Sequence, residues 1–494
     1  MKRILTAILA LLMLCTPFVL ASCGEETQSE AEKAPAEEIK DEALVPSLGK
    51  TDKYSGKTLR ILTTGENWTF GKEPLGATET NSEPVNNACY ERFVQLENAY
   101  GITVATEFTV EGSDFTAEVR NDRIAGTVDY DVVCNGLQWM SPLATEGYFL
   151  DYLSIGDSHL DLNASWWDAA CQEDMTIAGR LFFATGDIIL MDDEYTYAVF
   201  YNKDLADENN IEDLSRAALE NKWTLDLMYE TALTVSAPDG DGIMDVTTDD
   251  TWGLVGWMYD IYNLIVCCDA PIVDKNEQGI PAFAVTNERN IRAFEKANEM
   301  FSDKTVTARV EDFYAWNSPD AGNVHAQFYN GKAMFVVDTI HAVNSDDLRE
   351  ADFRYGILPM PKYDETQETY RTPVNPYSFF VLSIMDTCTD TDFVTFALEA
   401  MAYLGEKQVT PEYYDRTLKY KRFPDDTDSS EVLDIIFSNR LVDIAIAYNW
   451  DDCTFYYQNA IWSGNDIVSY MESRRGAFEA AMQETLDGFA DTLE

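Results

Sequence analysis

The chain has 494 residues, 87 of them Asp or Glu and 35 Lys or Arg, for a formal net charge of −52. Such an acidic chain excludes nucleic acid and anionic lipid surfaces as partners, because phosphates reward clustered cations. Hydrophobic residues at 46% and aromatics at 12% exclude disorder over the whole length, and the length suits about two to four compact units.

Lys2 and Arg3 precede an apolar stretch from Ile4 to Leu20, broken by Thr6, Thr16 and Pro17. It is short for a membrane span and ends in small residues, which is the pattern of a secretory signal peptide over 1–22. Leu20-Ala21-Ser22-Cys23-Gly24 resembles a bacterial lipobox. That resemblance implies cleavage before Cys23 and lipid on Cys23, a palmitate-type anchor on the outer face of the cell membrane. The other reading is a plain signal peptide cut at a small-residue site. Residues 23–57 are rich in Glu, Ala, Ser and Pro, with no aromatic before Tyr54, and read as a disordered acidic tether. No later apolar run is long enough to span a bilayer.

Lys57 to Gly65 reads as a first strand ending in a glycine turn, and Asn87 to Tyr100 as a helix with Gly101 at its C-cap. Ile102–Phe108 alternates as a second strand, Phe115–Ala125 as a helix, Asp129–Asn135 as a third strand and Met140–Gly147 as a short helix. This β-α-β-α-β rhythm predicts an α/β domain with a largely parallel sheet. Farther on, Phe393–Leu404, Ser430–Tyr448 and Asp466–Leu493 have helical spacing. Once Cys15 leaves with the signal and Cys23 becomes the anchor, Cys89, Cys134, Cys171, Cys267, Cys268, Cys388 and Cys453 remain. They form no CxxC pair, cannot all pair internally, and read as small buried hydrophobes.

Several segments match one family in order. Asp129-Tyr130-Asp131-Val132-Val133 is followed by Leu143-Ala144-x-x-Gly147-x-x-Leu150-Asp151-x-Leu153. Then come Tyr197-Ala198-Val199-Phe200-Tyr201-Asn202-Lys203-Asp204-Leu205, Lys222-Trp223-Thr224-Leu225-Asp226, Phe328-Tyr329-Asn330-Gly331-Lys332-Ala333-Met334-Phe335 and Tyr355-Gly356-Ile357-Leu358-Pro359-Met360-Pro361-Lys362. Over about residues 58–440 the chain resembles the extracellular solute-binding proteins of ABC importers, the sugar-type family 1 that includes maltose-binding protein. The resemblance implies an α/β fold of the periplasmic-binding-protein type, with two hinge-linked lobes around a ligand cleft. Lobe 1 is placed at 58–194 plus 357–403 and lobe 2 at 195–356 plus 404–494. Thr224 is expected to N-cap a helix.

In such a cleft, aromatic rings stack on the C–H faces of sugars while carboxylates and amides bond the hydroxyls, from loops at the strand C-termini. Trp68, after strand one with Glu66 and Asn67, and Trp139, after strand three with Asn135 and Gln138, are the first-lobe candidates; both are read as loop tryptophans. Trp257 and Tyr259 follow Gly253-Leu254-Val255-Gly256 from the other lobe, and Trp316 is a further loop candidate. Asp192 and Asp193 beside the first crossover, Asp338 and Tyr377 complete the polar set. Trp166 and Trp167 read as core.

Pro238-Asp239-Gly240-Asp241-Gly242-Ile243-Met244-Asp245 has the spacing of a calcium loop, with Asp239, Asp241, the Ile243 carbonyl and Asp245 as ligands. Ala237 in the first position and Thr248 in the twelfth depart from that pattern, and the other reading is an Asp-Gly turn. The three histidines have no metal-type pairing, and no nucleophile elbow, P-loop or dinucleotide turn is present. The expectation is a monomeric, lipid-anchored, non-catalytic protein. It captures a carbohydrate, an oligosaccharide, and delivers it to the permease subunits of an ABC transporter without a required cofactor. The alternatives are a peptide or cationic solute on the same fold, a surface receptor, or a secreted glycosidase.

Overall fold

The computed structural model describes residues 43–64, 75, 79–109, 112–240, 242–315, 317–415, 418 and 427–491. The signal peptide expected over 1–22, Cys23, Glu66, Asn67, Trp68, Asp241 and Trp316 lie outside the described residues. Residues 43–57 depart from the tether expected there. Val45 and Tyr54 are buried. The Tyr54 ring lies 4.5 Å from that of Phe396, and its hydroxyl donates to Asp392 at 2.8 Å. The apolar area of these two residues docks a segment whose composition is otherwise that of a linker.

The alternation read from the sequence is present. It comprises β1 (Thr58–Thr64), α1 (Pro84–Tyr100), β2 (Thr103–Thr109), α2 (Gly112–Ala125), β3 (Val132–Gly136) and α3 (Leu137–Thr145). Helix α1 opens on Pro84, where a missing N–H costs nothing. It stops at Gly101, whose φ of 65° lets its N–H return to the Glu97 carbonyl at 2.8 Å. Next come α4 (Ala169–Met175) and α5 (Met191–Glu194), then β4 (Tyr197–Asn202), α6 (Leu225–Val235), β5 (Trp252–Gly256) and α7 (Asp260–Val266). The Thr224 hydroxyl accepts the Leu227 N–H at 3.3 Å, the N-cap expected for α6. The chain continues through β6 (Thr307–Arg309), α8 (Gly322–Tyr329), β7 (Ala333–Thr339), β8 (Tyr355–Leu358), β9 (Thr372–Pro373), β10 (Phe380–Ile384) and α9 (Thr391–Leu404). It ends in α10 (Thr427–Ser438), β11 (Arg440–Leu441), α11 (Ile444–Tyr448) and α12 (Ile467–Asp491).

Two sheets form the centres of the two lobes. The first has the order β10-β3-β1-β2 and the second β8-β4-β7-β5-β6. Within the first, β1 is parallel to β2 and β3, and β10 is antiparallel to β3. Within the second, β5 is parallel to β6 and β7, while β4 is antiparallel to β7 and β8. Strands β3, β4, β5 and β10 are buried along their whole length, so they read as continuous apolar runs rather than as alternation.

Three passes of chain run side by side between the lobes. Thr196 bridges Val374, and Thr372–Pro373 pairs in parallel with Arg440–Leu441. That pairing breaks the single helix expected over 430–448 into α10 and α11, because the residues between them bond across to β9 rather than to their own turn. Among the described residues no helix is long and apolar enough to cross a membrane. The seven cysteines at 89, 134, 171, 267, 268, 388 and 453 are free thiols, all buried except the half-buried Cys388.

Candidate functional site

The first wall begins where β3 runs into α3 without a loop. Gly136 holds the N-cap position and no side chain caps the helix. The unpaired N–H groups of the first turn find carbonyls instead, Leu137 donating to Phe379 and Gln138 to Pro376, each at 2.9 Å. These bonds lay residues 375–379 across the start of the helix. A Cβ at position 136 would stand 1.9 Å from the Tyr377 carbonyl oxygen, so the approach requires glycine. The outcome is that Trp139 and Tyr377, both half-buried, set their rings 5.7 Å apart at 60°. Trp139, expected in a loop, is in the first turn of α3. The orphan donors there are satisfied from a distant segment, so no capping residue marks the start in sequence.

Gln138 is buried beside this pair, where its Nε2 donates to the Ile446 carbonyl at 3.2 Å. Asn135 is also buried. Its Oδ1 accepts the Gly136 N–H at 2.7 Å, and its Nδ2 has no partner among the described residues.

The second wall is set by strand register. Val255 lies opposite Val336, so Trp257 and Asp338 emerge together at the ends of the parallel strands β5 and β7. Antiparallel β4 brings its first residue, Tyr197, opposite Thr339 at the same end. The Trp257 ring meets His325 at 5.6 Å, and Tyr259 lies 6.5 Å from Tyr197. Two carboxylates hold the loop that carries these rings. Asp260 accepts the Trp257 N–H and Glu311 the Met258 N–H, both at 2.8 Å. Burial pushes the Asp260 carboxyl well above the usual range, with Asp338 and Glu311 adding to it. Asp338 accepts the Thr339 N–H at 2.7 Å and the Tyr329 hydroxyl at 3.3 Å. Burial lowers the pKa of His325, which favours a neutral ring, and its Nε2 has no partner among the described residues.

The two sets come near one another at Tyr259 and Tyr377. Burial raises the Tyr259 phenol chiefly, and Tyr377 is close enough to add to the shift.

Asp193 makes its contacts elsewhere. It lies in α5 on the first crossover and pairs at 2.8 Å with Arg440 on β11. Arg440 also reaches Asp168 at 2.6 Å and Asp192 at 3.6 Å. A cavity of about 250 Å³ opens beside this cluster, lined in part by Trp167, Asp168, Asp187, Asp193, Tyr414 and Arg440. Burial works against charge on Asp168, but Arg440 and the hydrogen bonds from Cys171 together outweigh it and hold that carboxyl below the usual range. Asp187, which has no such partner, is pushed by burial up to about 7. Burial also raises Asp192 and Asp193.

In the loop around 239–245, the buried Asp250 carboxylate accepts the N–H groups of Asp239 and Asp245 at 2.6 Å each. The Asp245 carboxylate accepts the Thr247 N–H and hydroxyl at 2.7 and 2.8 Å, and the Ile243 side chain is exposed. Among the described residues no three His, Cys, Asp or Glu side chains gather as a metal site. Trp167 is core as expected, its Nε1 donating to Glu399 at 2.8 Å.

Residues 76–408 match the family model of the bacterial extracellular solute-binding proteins. The chain belongs to this family. No curated protein matches the solute-binding protein by sequence. Solved structures resemble it in fold. One is an ABC substrate-binding protein of Listeria monocytogenes in complex with cycloalternan, at 13% identity and TM-score 0.54, covering 86% of this chain and 99% of that one. Another is the cyclic α-maltosyl-1,6-maltose binding protein of Arthrobacter globiformis, at 12% and 0.58, covering 86% and 98%. A third is the maltose/maltodextrin-binding domain of Bdellovibrio bacteriovorus bound to maltotriose, at 13% and 0.52, covering 86% and 100%. At these identities the likeness establishes the two-lobed fold.

Sequence reasoning passed over His325, Tyr197 and Gly136. Tyr197 opens a segment already matched to the family, so a signal was available. His325 lies within α8, and nothing local distinguishes it from a packing residue.

Proposed function

We propose that this solute-binding protein captures an oligosaccharide between its lobes and hands it to the permease of an ABC importer, without catalysing a reaction. What supports this is the gathering of aromatic residues at strand ends of both sheets, Trp139 with Tyr377 on one and Trp257 and Tyr259 on the other, with Gln138 and Asp338 as polar groups beside them. Aromatic faces suit the C–H faces of sugar rings, and a few placed polar groups fix orientation. The glycan ligands of the Listeria, Arthrobacter and Bdellovibrio proteins support the same class. Ligand contact with both walls stabilises a closed arrangement of the lobes, a population shift about the three crossovers. Lipid on Cys23 tethers the monomer to the outer face of the cell membrane.

Thermal unfolding of the chain from residue 24 in a panel of malto-, cello-, xylo- and manno-oligosaccharides tests the assignment. A ligand bound by the native state alone raises the midpoint with concentration. The expected result is a rise with one glycan class and recovery of that glycan unchanged. A rise only with peptides or polyamines overturns the carbohydrate assignment, and release of reducing sugar overturns the non-catalytic one.

A further inference from the structure

Among the described residues, carboxyl groups gather at and behind the second wall: Asp338 is the penultimate residue of β7, Asp260 opens α7, Glu311 lies beneath Met258, and Glu194 ends α5 on the adjoining crossover. Arg309, whose guanidinium approaches the Met258 sulfur, is buried and committed to Asp312 by bonds of 2.7 and 2.9 Å. His325 is desolvated, which disfavours its cationic form. The groups named on the first wall, Asn135, Gln138, Trp139 and Tyr377, are uncharged.

These acids are not equivalent. Asp260 and Glu311 are used as acceptors for the backbone of the 257–260 loop. Glu194 is buried and accepts from Asn344 at 3.2 Å, with the His341 ring also 3.2 Å away. Asp338 is half-buried and lies among Trp257, Tyr197 and Tyr329 at the strand ends. The Thr339 N–H and the Tyr329 hydroxyl occupy two of its roughly four lone-pair positions, and the hydroxyl is at the long end of its range. It lies near enough to Tyr195, Tyr197, Asp260 and His325 to act on each electrostatically, though burial dominates all four.

We propose that Asp338 reads the charge of the ligand, so that the cleft accepts a neutral or amine-bearing sugar and rejects a carboxylate-bearing one. The proposal rests on the carbohydrate assignment above and adds a specificity-determining residue to it. The physical basis is that a second anion brought beside Asp338 in a partly desolvated crevice is repelled and meets no compensating cation among the described residues named at the two walls, while a hydroxyl or ammonium donates to the remaining lone-pair positions.

The test uses the neutral glycan with the largest thermal shift, its 6-amino-6-deoxy derivative and its C6-carboxylate derivative, titrated calorimetrically into the wild-type chain and Asp338→Asn. In the wild type the carboxylate derivative is expected to bind at least about tenfold more weakly than the amine, with the gap widening at low ionic strength. In Asp338→Asn the gap falls to within about threefold, whereas Asp338→Glu, which keeps the charge, retains it. Unfolding midpoints of both variants confirm that they are folded. Equal wild-type binding of amine and carboxylate overturns the proposal, and so does a gap that persists unchanged in Asp338→Asn. If only peptides bind, the carbohydrate assignment has failed, and tripeptides ending in lysine or glutamate run the same comparison. A lysine preference abolished by Asp338→Asn supports the charge rule, and indifference or a glutamate preference overturns it.

Discussion

Arg440 and Asp193 stand 247 positions apart and meet at 2.8 Å where the third chain crossover passes the first. The same guanidinium holds Asp168, which caps α4 by accepting the Cys171 N–H at 2.8 Å. One buried cation thus ties the first lobe, the first crossover and the third together.

Replacing Arg440 leaves several carboxylates buried without a counter-charge. Arg440→Met is expected to cost about 3–5 kcal/mol of unfolding free energy, the usual penalty for removing one partner of a buried pair. Arg440→Lys is expected to fall between it and the wild type, because a point ammonium cannot fork across two carboxylates. Urea unfolding of the three proteins at neutral pH checks the order.

Asp187 gives a pH dependence with a definite sign. Burial pushes its folded value up to about 7, against an unfolded value of about 3.9. The folded state therefore holds a proton that the unfolded state has lost. This contribution to stability is fully present below about pH 3.9 and is lost as pH rises through 7. Asp187→Asn keeps an acceptor for the Thr410 hydroxyl and removes the titration. Its unfolding midpoint is expected to exceed that of the wild type at pH 8 and to approach it at pH 5, so midpoints measured across that range decide the matter.

Gly136→Ala drives a methyl group into the Tyr377 carbonyl. The strain is expected to cost about 1–3 kcal/mol, with Tyr377 displaced from Trp139. Denaturant titration measures the first effect. The second is read as weakened ligand affinity at a temperature where the variant remains folded.

Trp139→Ala and Trp257→Ala remove one aromatic face from each wall. Each is expected to weaken glycan binding by about tenfold to a hundredfold, the scale of an aromatic hot spot. Both rings are only half-buried, so the folds survive. Calorimetric titration with the glycan identified by thermal shift provides the check, and unchanged affinity in both variants removes these rings from the site.

The legible parts of the fold were those with local signals. β1, α1 and β3 follow from apolar spacing and a glycine stop, and Thr224 caps its helix as its sequence context predicts. Gln138, Trp139, Trp257, Tyr259, Asp338 and Tyr377 were singled out because they follow strand ends or crossovers, and the structure sets them at or beside strand ends of the two sheets. Asp193 carried the same signal and goes instead to Arg440, a partner that no local pattern reveals. The helix read over 430–448 failed for the same reason, since β11 exists only through its pairing with β9.

The sequence alone determined the acidic charge of the chain, its alternating α/β elements and its family motifs, since composition and periodicity are properties of neighbouring residues. Tertiary structure decided which acids face the crevice and which are consumed by structure. Asp338 remains half-open at a strand end, while Asp260, Asp250 and Asp193 are taken by N–H groups or a guanidinium. Among 87 carboxylates the chemistry is the same, and only burial and distant partners set them apart.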